Sequence, residues 1–161
     1  MSARLLIRSA AVSVVGLALA GLGVYPQLSA QLTGDEIRLR VAPVDPIDPF
    51  RGAYVDLSYP DLRQPGGSNP PIMDDGESGD VFVTLQDRDG VWVASGWTRT
   101  RPDDGPYLAC NDRAWEIRCG IESWFLPQDK AAAMERQITN GAIATVRVDS
   151  WGHAVLVDVT D

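Results

Sequence analysis

Residues 81–97 read VFVTLQDRDGVWVASGW. Val81, Val83 and Leu85 alternate with Phe82, Thr84 and Gln86, and a second alternating run spans Val91 to Trp97. A period of two places one set of side chains on each face of a strand. Asp87-Arg88-Asp89-Gly90 separates the runs, and an Asp-Gly step between alternating segments predicts a β-hairpin. The same grammar recurs downstream. Ala142 to Val148 and Ala154 to Val159 flank Asp149-Ser150-Trp151-Gly152-His153, a second hairpin. Upstream, Ile37, Leu39 and Val41 alternate with Arg38 and Arg40, and Val55, Leu57 and Tyr59 with Tyr54, Asp56 and Ser58, until Pro60 stops the run. Trp115 to Phe125 has β-rich composition around Gly120, and Pro102-Asp103-Asp104-Gly105-Pro106 is a turn.

A single helix is predicted from Pro127 to Thr139. Pro127 suits the first turn, Asp129 suits the positive N-terminal end, and Asn140-Gly141 is a C-terminal stop. Seven or eight strands and one helix predict a mainly antiparallel β domain, barrel-like or a sandwich, with one covering helix. Pro43, Pro46 and Pro49 keep the chain extended and rigid between the first two strands. The stretch 65–80, PGGSNPPIMDDGESGD, has no periodicity and is expected to be a mobile acidic loop. The spacing of Asp74, Asp75, Glu77 and Asp80 does not match a calcium-binding EF-hand loop.

Ahead of this domain lies an apolar segment of a different kind. Leu5 to Val24 reads LLIRSAAVSVVGLALAGLGV, with Arg8 its only charge. Some 20 apolar residues cross a bilayer core of about 30 Å. Tyr25 follows at the interface, and Pro26 is expected to end the helix. Two readings stay open: an uncleaved anchor, or a signal peptide cut after Ala30. Both divide the chain into 1–30, membrane segment and short linker, and 31–161, the β-rich domain. The 161 residues hold 14 Lys or Arg and 22 Asp or Glu, a net charge of −8. Residues 1–30 hold Arg4 and Arg8 and no acid, or +2, so the rest carries 12 − 22 = −10. Basic flanks stay in the cytoplasm, which places the N-terminus there and the C-terminal domain outside, as a single-pass membrane protein held through residues 5–24. The acidic domain is unsuited to nucleic acid, having no cationic surface to displace counterions.

An oxidising compartment allows Cys110 and Cys119 to pair. A tight turn at Asn111–Ala114 would set Cys110 opposite Trp115, so the bridge needs a wider loop; two free buried thiols are the alternative. His153 is the only histidine and Lys130 the only lysine. His153 reads as a turn residue, no ligand cluster implies a metal, and no nucleotide fingerprint implies a cofactor. A Ser–Lys peptidase would rest on Lys130 alone.

Two segments stand apart: Pro43-Val44-Asp45-Pro46-Ile47-Asp48-Pro49-Phe50-Arg51-Gly52-Ala53-Tyr54-Val55-Asp56-Leu57-Ser58-Tyr59, and Gly120-Ile121-Glu122-Ser123-Trp124-Phe125-Leu126-Pro127. With the apolar N-terminal span, they resemble the GDYXXLXY family of membrane-anchored proteins. Asp45, Pro46, Asp48, Arg51, Gly52, Tyr54, Leu57 and Tyr59 match the first pattern, and Gly120, Ile121, Glu122, Ser123, Phe125 and Pro127 the second. Ala53 stands where the motif has Asp. The resemblance implies an exported, anchored domain, often encoded beside polytopic membrane proteins, and no known reaction.

Asp45, Asp48, Arg51, Gly52, Tyr54, Asp56, Leu57, Tyr59, Glu122 and Ser123 are thus motif residues of structural or functional role, and none is assigned a catalytic step. Arg51 and Glu122 are a candidate ion pair joining the motifs; otherwise Arg51 caps the Asp48 turn and Glu122 is solvated. The residues favour a non-enzymatic binding or accessory module for an integral membrane protein or another envelope partner. The alternative is a hydrolase or transferase acting on an envelope polymer through Asp56 or Glu122, with Trp124 and Tyr54 lining a groove.

Overall fold

In the computed structural model, residues 3–43, 54–63, 75–113, 117–125 and 141–160 are described. Along the chain come α1 (Ala3–Thr33), β1 (Asp35–Pro43), β2 (Tyr54–Ser58), a 3-10 turn at Pro60–Leu62, β3 (Asp80–Arg88), β4 (Val91–Thr98), β5 (Tyr107–Asn111), β6 (Ser123–Phe125), β7 (Ala142–Val148) and β8 (Ala154–Thr160). All the strand pairs are antiparallel. They form a five-stranded sheet in the order β6-β2-β1-β7-β8 and a three-stranded sheet in the order β4-β3-β5. The described strands make two open sheets and no closed barrel. The predicted helix from Pro127 to Thr139 lies outside the described residues.

Alternation decides which side chains meet between the sheets. Ile37, Leu39 and Val41 of β1, Ala144 and Val146 of β7, Val81, Val83 and Leu85 of β3, and Leu108 and Cys110 of β5 form one buried core. Glu36, Arg38 and Arg40 alternate with the β1 set and are exposed. Each fully buried Val or Leu contributes about 1.5–3 kcal/mol relative to exposure, so this interleaving is the main cohesive term.

The β3–β4 hairpin turns on Asp89 and Gly90, both at positive φ (57° and 85°). That is the handedness which matches strand twist in a two-residue loop. The Gly90 N–H donates to the Asp87 carboxylate at 2.8 Å. β5 is a strand that no alternating run had marked. It is five residues long, and its inward set is only Leu108 and Cys110 with Tyr107 buried beside them.

Two expectations about the N-terminal segment are corrected. α1 does not end at Pro26 but runs through it to Thr33. An interior proline removes one N–H and crowds a carbonyl, costing about 3 kcal/mol. The last turns offset this by packing against β7 and β8, with Ala30 completely buried. The short linker is also missing, because Gly34 alone separates α1 from β1. Its N–H donates to the Ala30 carbonyl at 3.0 Å, and the Arg147 guanidinium donates to the Gln31 carbonyl at 2.6 Å. Residues 11–33 form a helix long and apolar enough to cross a membrane, and residues 11–25 of it are exposed throughout.

Candidate functional site

The two motif segments meet. β2 pairs with β6, setting Tyr54 opposite Phe125, Val55 opposite Trp124 and Asp56 opposite Ser123. The Leu57 N–H then donates to the Glu122 carbonyl at 2.7 Å, and the Tyr59 hydroxyl to the Ile121 carbonyl, also at 2.7 Å. Leu57, Tyr59 and Ile121 are buried. Burial, and then the nearby Glu122 carboxylate, push the Tyr59 phenol well above its ordinary pKa. Gly120 sits at φ +82°, so the chain turns sharply before Ile121. Glu122 holds that turn: Oε1 accepts the Cys119 N–H and Oε2 accepts the Gly120 N–H at 2.9 Å.

This Glu122 is therefore half-buried and bonded to backbone rather than solvated. Arg51, its candidate partner, lies outside the described residues, as do Asp45, Asp48, Gly52 and the departure at Ala53. Asp56 and Ser123 are exposed on the far side of β2 and β6 from Leu57. Trp124 is half-buried against the core; nothing is described of the Tyr54 side chain.

Cys110 and Cys119 are bonded, with Cα atoms 4.0 Å apart. The wider loop that the bridge needed is present. Asn111 and Arg118 exchange two backbone hydrogen bonds of 2.8 Å, so the chain comes back on itself between these two residues, which brings Cys119 rather than Trp115 beside Cys110. The bridge and the Glu122 staple adjoin at Cys119 and lock β5 to the second motif.

A second node escapes sequence reasoning. Arg99, just past β4, contacts Asp75 at 2.8 and 2.9 Å and Asp112 at 2.9 and 2.7 Å, and donates to the Glu77 and Asp80 carbonyls. Asp112 is buried and also accepts the Gly79 N–H at 2.7 Å. Hydrogen bonds from Arg99 hold the Asp75 carboxyl down at about 2 and lower that of Asp112 as well. Of the acidic loop expected to be mobile, residues 75–80 are thus tied to the small sheet; residues 64–74 lie outside the described part. The partners come from three separate segments, so no local pattern announces them.

The third node lies where α1 meets the domain. The β7–β8 turn folds around Asp149, which is buried. Its Oδ1 accepts the Trp151 and His153 N–H groups, both at 2.9 Å, and its Oδ2 lies 3.0 Å from His153 Nδ1. Burial opposes the charge of this carboxyl. Hydrogen bonds from the Ser29 hydroxyl, from His153 and from the turn amides outweigh it and hold the pKa below the usual range. His153 is thus a turn residue, as expected. Asp149 was placed in this turn by the sequence, but its buried carboxylate as the group that organises the turn was not. Beside this node opens a cleft of about 580 Å³, lined by Thr33, Asp35, Glu36, Ile37, Trp92, Gly105, Pro106, Val148, Asp149 and Ser150. Its lining combines the buried Ile37 and Val148 with the exposed carboxylates Asp35 and Glu36. Among the described residues, no group of three or more His, Cys, Asp or Glu is placed to hold a metal ion.

No curated protein and no solved structure matched this chain. A family model described as GDYXXLXY protein matches residues 16–159, which takes in the second half of α1, both sheets and both motif segments. The chain belongs to the GDYXXLXY protein family.

Proposed function

We propose that this protein is a single-pass, membrane-anchored accessory module, with its N-terminus in the cytoplasm and its β domain outside. It binds an integral membrane protein or another envelope component and catalyses no reaction of its own. The observation that carries this reading is the junction of α1 with the sheet. The apolar helix continues into β1 through Gly34 alone, and the cleft opens beside its end. A partner embedded in the same bilayer would present its extramembrane edge at that height. Arg4 and Arg8 support the orientation. Uncleaved retention of α1 is supported by the burial of Ala30, the residue at which a signal peptidase would cut. Glu122 has both carboxylate oxygens committed to backbone N–H groups, which supports a structural role for that motif residue.

Affinity capture of the full chain from detergent-solubilised membranes tests the reading. It predicts a stoichiometric integral membrane protein, lost when Glu36→Lys reverses a charge of the cleft lining. Repeated recovery of the chain by itself would count against partner binding.

A further inference from the structure

We propose that the β7–β8 turn is a lipid-facing foot, with Trp151 and Arg101 seated in the headgroup layer of the bilayer that α1 crosses. This rests on reading α1 as a membrane anchor. Outside α1, the exposed large hydrophobic residues among those described are Trp151 and Val157, and Trp151 is the more exposed at 51 %. The Arg101 guanidinium stacks over the Trp151 ring, 4.7 Å from its centroid. An indole body with a polar N–H suits the boundary between hydrocarbon and water, and a guanidinium suits lipid phosphate.

The position of the turn gives the pair its height. Pro26, Ser29 and Ala30 are the less exposed residues of the last helical turns, at the spacing of one face. Ser29 bonds Asp149 at the base of the β7–β8 turn. The domain therefore lies alongside α1 from Thr33 back to Pro26, about 10 Å at 1.5 Å per residue. A hydrocarbon span from Leu5 to Val24 ends just before Pro26, and the headgroup layer beyond it is about 5–7 Å thick. The turn thus stands at headgroup depth. Leu28 and Leu32, one turn apart on α1, are exposed at the same level.

The foot is already ordered. The Tyr107 hydroxyl donates to the Ser150 carbonyl at 3.1 Å, the Ala109 N–H to the Gly152 carbonyl at 2.8 Å, and Asp149 ties the turn from within. Little conformational freedom is left to lose on contact. Asp35, Glu36, Asp103 and Asp104 belong to the same pole or to the segment after Arg101, so a zwitterionic surface fits better than an anionic one.

The test reconstitutes the full chain in phosphatidylcholine vesicles whose acyl chains carry bromine just below the headgroups, and reads tryptophan quenching. The native chain should be quenched, and Trp151→Phe should remove the larger part of that quenching. Trp97→Phe, which alters an indole whose N–H donates to the Leu62 carbonyl, should leave the quenching unchanged. Equal quenching in native and Trp151→Phe chains that both float with the vesicles would overturn the foot and leave the anchor standing. A chain that fails to float with vesicles would overturn both.

Discussion

Glu122 shows how a motif carboxylate can organise the backbone of its own chain. Its two oxygens accept two adjacent N–H groups, which a glutamine could satisfy only in part, because its NH2 would face a donor. Glu122→Gln is expected to cost about 1–2 kcal/mol, measured as a lower urea midpoint in detergent micelles. Arg99 matters more. Removing it leaves the buried Asp112 without its charge partner, so Arg99→Ala should cost about 3 kcal/mol. Arg99→Lys should recover little, since one ammonium cannot span two carboxylates as the guanidinium does. The acid response follows from the lowered carboxyls. Asp75 titrates at about 2 in the folded protein, and Asp112 is also depressed. Both are near 3.9 when unfolded. Their contribution is present above about pH 4 and is lost as pH falls toward 2. The urea midpoint should drop across that window in the native chain and less in Arg99→Ala. Equal slopes would remove Arg99 as the cause.

At the scale of the element, period-two runs announced most strands, because one face of each is buried and the other is wet. β1, β3 and β7 carry that contrast over seven to nine residues and were read to within two residues of their ends. β5 was not, because Tyr107–Asn111 is held by pairing with β3 and by the disulfide rather than by its own pattern. The site was less legible than the fold for the same reason. Motif residues Leu57, Tyr59 and Glu122 are brought together by β2–β6 pairing, whereas Arg99 and Asp149 work through contacts that only the assembled sheets create. The β7–β8 turn illustrates the tolerance of such contacts. Gly152 lies at φ +79°, and a Cβ there would stand 2.6 Å from the Tyr107 ring and 2.8 Å from the Ala109 nitrogen. Gly152→Ala should cost about 1–3 kcal/mol through strain and displaced packing. Gly105→Ala, also at positive φ but with open space around it, should cost less in the same unfolding measurement. Replacing Cys110 and Cys119 with serine should lower stability by about 2–3 kcal/mol, the loop being short.

At the scale of the whole molecule, the apolar helix and the β domain are one packed piece. Pro26 marked an end that packing overrode, and the junction depends on a residue without a side chain. A Cβ at Gly34 would press on the Ala30 carbonyl oxygen and lie 2.9 Å from the Val148 nitrogen. Gly34→Ala should therefore loosen the domain from α1, detected as faster amide exchange at Thr33 to Ile37 while the β3–β4 hairpin stays protected. Unchanged exchange at the junction would mean that the close approach carries no weight. The divided charge also acquires a location. The basic end lies at the start of α1, and the acidic domain begins one residue after it. The claim on which the functional proposal depends is that α1 stays attached. Intact-mass measurement of the protein extracted from membranes tests this most directly. The expected mass is that of a chain retaining α1; a chain beginning at Gln31 would contradict it.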